Sequence, residues 1–177
     1  MQRVLIIATD GFEQSELEKP RDLLVEAGAE VTIASIEPGE IRGWDKKDWG
    51  QTVPVDLTIG EVSVDDYDAL LLPGGQINPD VLRTHRKVID LVRAFYAAEK
   101  PIAAICHAPW LLAEADLIEG RTVTGWPSIR TDLVNAGAAV VDEEVVVDDN
   151  LITSRKPDDI PAFTEALMAA LDMAPAD

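Results

Sequence analysis

Three groups of residues in this chain have the chemistry of a nucleophilic site. The first is the stretch Pro101 to Trp110, PIAAICHAPW, in which an apolar run ends on the only cysteine, Cys106, and is followed at once by His107. A thiol with an ordinary pKa of about 8.5 is only a few per cent ionised at neutral pH, so a catalytic cysteine needs a base or a set of donors beside it. The second is Glu16, just past the apolar run Arg3 to Thr9 (RVLIIAT). The third is Gly74-Gly75, directly after the run Asp68 to Pro73 (DALLLP). Two glycines there let the backbone turn tightly and present N–H groups. Each group also has an ordinary reading. A lone cysteine is more often a small core hydrophobe than a nucleophile, an acid in a first helical turn complements the helix dipole, and a glycine pair is a common turn.

The elements around these residues bring them together. Residues 3–9, 30–35, 68–73 and 102–105 read as buried strands, too short and too uniformly apolar for helices. Between them lie helices: one from Glu16 through Leu24 to Gly28, with Pro20 expected near its first turn, and one over Val88 to Ala98. Asn78-Pro79-Asp80 begins a further helical segment, and Leu111 to Ala115 another. Residues 37–52, with Trp44 and Trp49, read as a long loop, and Val53 to Ile59 as a short strand. Arg121 to Thr124 and Ala138 to Val141 read as strands, with a helix over Ile129 to Ala136 between them. Glu144 to Val147 pairs as a hairpin with Leu151 to Arg155, and Ile160 to Leu171 is a closing helix. Strands alternating with helices predict an α/β fold: a flavodoxin-like, doubly wound, mostly parallel sheet with helices on both faces and a β-hairpin near the C-terminal end. In such a sheet the carboxyl ends of the strands share one edge, so Glu16, Gly74-Gly75 and Cys106-His107 converge there. A helix N-terminus at that edge is expected to favour a thiolate.

Composition narrows the function. Residues 1–177 fit one domain, with no apolar stretch near the eighteen or so residues that span a bilayer. Fifteen Lys plus Arg stand against 33 Asp plus Glu, a net charge of −18, which repels phosphate backbones and excludes nucleic acid as a steered partner. The acids are spread along the chain as a solvated surface. One cysteine precludes an internal disulfide, and two histidines make a structural zinc site unexpected. With no signal segment read at the N-terminus, the expectation is a cytoplasmic protein free of membrane, metal and cofactor.

The motifs Glu16-x-x-x-Pro20, Leu72-Pro73-Gly74-Gly75, Ala104-Ile105-Cys106-His107-Ala108-Pro109, Val145-Val146-Val147-Asp148 and Thr153 to Asp159 run through nearly the whole chain in one order. On these motifs the chain resembles the PfpI family, the intracellular-protease branch of a superfamily that includes the Parkinson-associated deglycase and is related to class I glutamine amidotransferases. The resemblance implies that Cys106 is a nucleophile on a strained elbow, that Glu16 hydrogen-bonds its sulfur as a protonated acid, and that the N–H groups of Gly75 and His107 form an oxyanion hole. It places Gly74 and Trp110 at the substrate. It also implies that Asp80 of a neighbouring subunit orients His107, so that the site is completed in a homo-oligomer, a dimer or hexamer. Two departures stand out: family members usually carry Gly where Ala108 stands, and the step from Gly75 to Asp80 is one residue longer.

Glutamine amidotransferases and papain-like peptidases use a histidine well downstream of the cysteine. None follows His107, and His85, expected on an exposed helix face, is the only other. Three expectations remain: an enzyme converting small reactive carbonyls such as methylglyoxal to hydroxy acids, a cysteine peptidase acting on peptides, and a redox-sensing or holdase stress protein without turnover.

Overall fold

The computed structural model describes residues 1–175. In chain order the elements are β1 (Arg3–Ile7), β2 (Phe12–Glu13), α1 (Gln14–Glu26), β3 (Glu30–Ser35), β4 (Glu40–Asp45), β5 (Asp48–Pro54), β6 (Leu57–Thr58), β7 (Ala69–Leu72), α2 (Ile77–Leu82) and α3 (Arg86–Ala97). There follow β8 (Ile102–Ile105), α4 (Pro109–Glu114), β9 (Thr122–Val123), α5 (Arg130–Asn135), β10 (Ala139–Val140), β11 (Val146–Asp148), β12 (Leu151–Ser154) and α6 (Ile160–Ala170). Seven strands form the central sheet in the order β11-β12-β8-β7-β1-β3-β6. Every pairing in it is parallel except β11 with β12, the hairpin turned at Asp149-Asn150. This is the α/β, flavodoxin-like sheet the alternation of strands and helices predicts.

Alternation along each strand sorts the core into two layers, because successive side chains leave a strand on opposite faces. Leu5, Ile7, Leu70, Leu72, Ile102 and Ala104 pack with Val88, Val92 and Phe95 of α3 and with Leu111 and Leu112 of α4. Val4, Ile6, Leu71, Ala103 and Ile105 face the other way, onto Leu17 and Leu24 of α1 and Phe163 and Leu167 of α6. With both faces covered, the central strands carry no polar face, which is why they read as unbroken apolar runs.

Four local expectations need correction. Residues 40–54 are not a loop but an antiparallel hairpin, β4 with β5, extended by β2. Trp44 and Trp49 face each other across it with ring centroids 5.4 Å apart and planes at 79°. Its strands alternate weakly because little of either face is buried. Pro20 lies in the middle of α1 and not at its first turn; lacking an N–H, it leaves the carbonyl of Glu16 one turn earlier without a helical donor. Residues 139–140 do not join the central sheet but pair with β9. His85 is half-buried at the start of α3, where its carbonyl accepts the Val88 N–H at 3.0 Å, and does not ride an exposed helix face.

The order of strands reverses between β1 and β7: from β1 the chain builds outward through β3 and β6, from β7 through β8 and β12. Ligand sites in open α/β sheets form at such a crossing, beyond the carboxyl ends of the strands. Here one buried side chain clasps the two strand ends. Asn78, fully removed from solvent, accepts the Thr9 N–H at 2.8 Å and donates to the carbonyls of Pro73 at 3.0 Å and Gly74 at 3.2 Å. Asn78→Ala removes all three hydrogen bonds, leaving the Gly74 carbonyl only the Glu13 N–H at 3.2 Å, and is expected to cost about 2–3 kcal/mol. Asn78→Asp keeps the acceptor for Thr9 but sets a carboxylate against two carbonyls. Urea unfolding at pH 7 is therefore expected to rank Asp below Ala, with Asp recovering part of the loss at pH 5.

Candidate active site

Cys106 occupies the junction of β8 and α4 at φ +66°, a left-handed backbone conformation that costs a non-glycine residue of order 1–3 kcal/mol. The neighbours hold it there. Its N–H donates to the Ser154 carbonyl at 3.0 Å and its own carbonyl accepts the Trp126 N–H at 2.8 Å. The sharp turn keeps the sulfur at the sheet edge and lets His107, the next residue, fold back to it, with Nδ1 3.2 Å from Sγ. In an extended strand the two side chains would point apart.

Glu16, in the first turn of α1, lies beneath this sulfur with no exposure to water. Its Oε1 accepts the Gly74 N–H at 3.0 Å, while Oε2 is buried without a hydrogen-bond partner. Burial, reinforced by the nearby charge of Glu13, pushes the Glu16 carboxyl well above its ordinary range and favours its protonated form. The packing that creates this contact requires glycine: a Cβ on Gly74 would stand 2.5 Å from Glu16 Oε1 and 2.6 Å from Cys106 Cβ. Gly75, at φ +82°, passes so close to the turn before β2 that a Cβ would stand 2.4 Å from the Gly11 carbonyl oxygen.

Burial also raises the Cys106 thiol, the charge form of Glu16 would raise it further, and the N–H groups of Gly75 and His107 oppose both. The protonated form of Glu16 would bring no charge against the sulfur. Burial lowers His107 below its ordinary value of 6.5. Burial thus favours a thiol beside a neutral imidazole and opposes the thiolate that a helix N-terminus would favour; α4 is six residues long.

The pair opens onto a cavity of about 540 Å³ whose walls include Glu13, Trp44, Lys46, Ile77 and Trp126. Gly75 is in this wall, and Gly74 is behind it, spent on Glu16. Trp110 is not in the wall either. Its indole N–H donates to Asp132 at 3.0 Å and its ring meets the far edge of the His107 imidazole. Asp80 is exposed on α2 and is not among the residues around the cavity of its own chain. Trp126, Trp44, Glu13 and Asn78 escaped the sequence reading. Trp126, Asn78 and Glu13 each sit shortly past the end of a predicted strand, a position that marks the functional edge; Trp44 carries no comparable signal, since the small β2-β4-β5 sheet that presents it was not foreseen.

The DJ-1/PfpI family model matches residues 2–170. The chain belongs to this family. It is 44% identical to general stress protein 18 of Bacillus subtilis over 173 residues, covering 97% of this chain and 98% of that one. It is 42% identical over 163 residues to the putative cysteine protease YraA of the same organism, covering 92% and 94% of the two chains. It is also 42% identical over 169 residues to deglycase PYRAB04690 of Pyrococcus abyssi, covering 96% and 99%. Among solved structures, a two-domain protein from Anabaena variabilis with DJ-1/ThiJ/PfpI-like and ferritin-like domains superposes with a TM-score of 0.91 at 35% identity. That match covers 97% of this chain and 48% of the other.

The neutral Glu16 has a measurable consequence. Below about pH 4.5 its carboxyl is protonated in both folded and unfolded chains. As pH rises past that value the unfolded chain ionises and the folded one does not, so stability falls with rising pH, by up to about 1.4 kcal/mol per pH unit for this group. Glu16→Gln removes the dependence. Urea unfolding is expected to show the Gln variant gaining on wild type steadily from pH 5 to pH 8, and a constant difference would mean Glu16 is ionised in the folded protein.

Proposed function

We propose that this protein is a cofactor-independent cysteine enzyme that detoxifies reactive carbonyls, converting dicarbonyls such as methylglyoxal or glyoxal to hydroxy acids. The observation that carries this reading is a thiol within 3.2 Å of a neutral imidazole, with a buried protonated carboxyl beneath it and two backbone N–H groups converging on it. The names deglycase and general stress protein among its relatives are in keeping with it.

In the first step Sγ of Cys106 attacks the aldehyde carbon while its proton passes to Nδ1 of His107. The carbonyl oxygen takes up the displaced electron pair, and the N–H groups of Gly75 and His107 hold the charge until it is protonated to a hemithioacetal. A proton then leaves that carbon and one is delivered to the adjacent carbonyl carbon through an enediol. Glu16, beside the sulfur, and His107 are the groups that exchange these protons. The product is a thioester of the hydroxy acid. Water adds to the thioester, the C–S bond breaks, the acid departs and the thiol is restored, so dicarbonyl and water combine with no redox partner.

A peptidase would use the same nucleophile, and the relative named as a cysteine protease favours keeping that reading as the alternative. Amide cleavage, however, must protonate a leaving amine, and a histidine held below its ordinary pKa in a buried setting is a poor store of that proton. Lactate formation from methylglyoxal is expected from wild type and is expected to fall at least about 100-fold in Cys106→Ser. Its pH profile should be a bell: activity declines at low pH as His107 protonates and at high pH as Glu16 ionises. Cysteine-dependent cleavage of a fluorogenic peptide without lactate would replace this reading with the peptidase.

A further inference from the structure

His107 Nδ1 faces the sulfur, and the ring is flanked on two sides by indoles. Trp126 lies over one face with centroids 5.8 Å apart and planes at 22°, an offset stack. Trp110 meets it edge-on at 5.2 Å and 70°. Both indoles are themselves anchored. The Trp126 backbone N–H is bound to the Cys106 carbonyl at 2.8 Å, so the stacking ring is tied to the elbow it serves. The segment before it is clasped by the Thr124 N–H donating to Thr153 Oγ1 at 3.0 Å. Trp110 is held by Asp132 through its N–H and covered by the guanidinium of Arg83, 5.3 Å from the ring, which pairs with Glu114 at 2.9 Å.

From this geometry we infer that Trp126 and Trp110 are positioning residues: an aromatic clamp within the chain holds the His107 ring toward Cys106. The clamp restrains the ring by contact, on one face by Trp126 and edge-on by Trp110. Trp126 also excludes water from one ring face and forms part of the cavity wall, so the element that orients the base also bounds the substrate. The titratable and charged groups around His107 are Cys106 and Glu16 on the sulfur side, Glu13 and Lys46 across the cavity, and Asp132, Arg83 and Glu114 behind Trp110.

The inference rests on Cys106 and His107 as the reacting pair, and its test is independent of any carbonyl substrate. Cys106 is the sole cysteine, so the rate of its alkylation by iodoacetamide reports the pair directly. With only two histidines, a proton NMR titration in a His85→Gln background reports His107 alone. Trp126→Leu keeps apolar bulk but removes the stacking face. It is expected to slow alkylation at pH 7 at least about 10-fold and to move the His107 titration upward toward its ordinary value. Trp126→Phe restores a ring and is expected to lie within about 3-fold of wild type. The clamp is overturned if Trp126→Leu alkylates at the wild-type rate with an unmoved titration, or if Phe rescues no better than Leu. Should Trp126→Leu fail to fold, the Phe variant is compared with Trp126→Tyr and Trp110→Phe. Ring-bearing variants near wild type support the clamp; loss in all of them overturns it.

Discussion

A carboxyl group entirely removed from water, with no cation to meet it, cannot be kept as an anion without a large penalty, and the active edge of this molecule depends on that constraint. Burial therefore favours the protonated form of Glu16, which can sit near a sulfur without repelling a developing thiolate. The arrangement tolerates almost no change in its surroundings. Gly74 has space for a hydrogen and nothing larger, and the Cys106 backbone is held in a left-handed conformation by hydrogen bonds at both of its ends.

The fold supplies this geometry at the one place where two halves of the sheet diverge. Strands β1 and β7 are neighbours in space but lie more than sixty residues apart in the chain, and their ends must be brought into register before Glu16, Gly74 and Cys106 can meet. Asn78 does so with a side chain that mimics a strand, offering an acceptor to one end and donors to the other. The β2-β4-β5 sheet closes the same edge from the outside and contributes Glu13, Trp44 and Lys46 to the cavity. The site is therefore a rigid rim and a deformable entrance: the nucleophile is set by packed backbone, the substrate-facing wall by a small exposed hairpin.

The protonation pattern decides how such a site must work. Burial raises the Cys106 thiol and lowers His107, which favours the uncharged form of both, with 3.2 Å between sulfur and nitrogen. The direction of the His107 ring then matters, and Trp126 stacks on that ring while Trp110 meets it edge-on.

Much of this was legible in the sequence. Unbroken apolar runs specify buried parallel strands because no polar face survives between two layers of helices, and residues just past their carboxyl ends must gather at one edge. That reasoning reaches Cys106, His107, Glu16 and Gly74-Gly75 without coordinates. Tertiary structure alone decided the rest. The hairpin over residues 40–54 has weak alternation because little of it is buried, so it read as a loop. Trp110 and Trp126 are both tryptophans near Cys106 in space, yet one faces Asp132 and the other the cavity, a distinction set by the turn of the backbone at each and carried by no local pattern. Whether an acid is charged depends on its desolvation, which arises from residues distant in the chain: the sequence by itself determined which groups meet, and only packing determined that Glu16 keeps its proton and which ring covers His107.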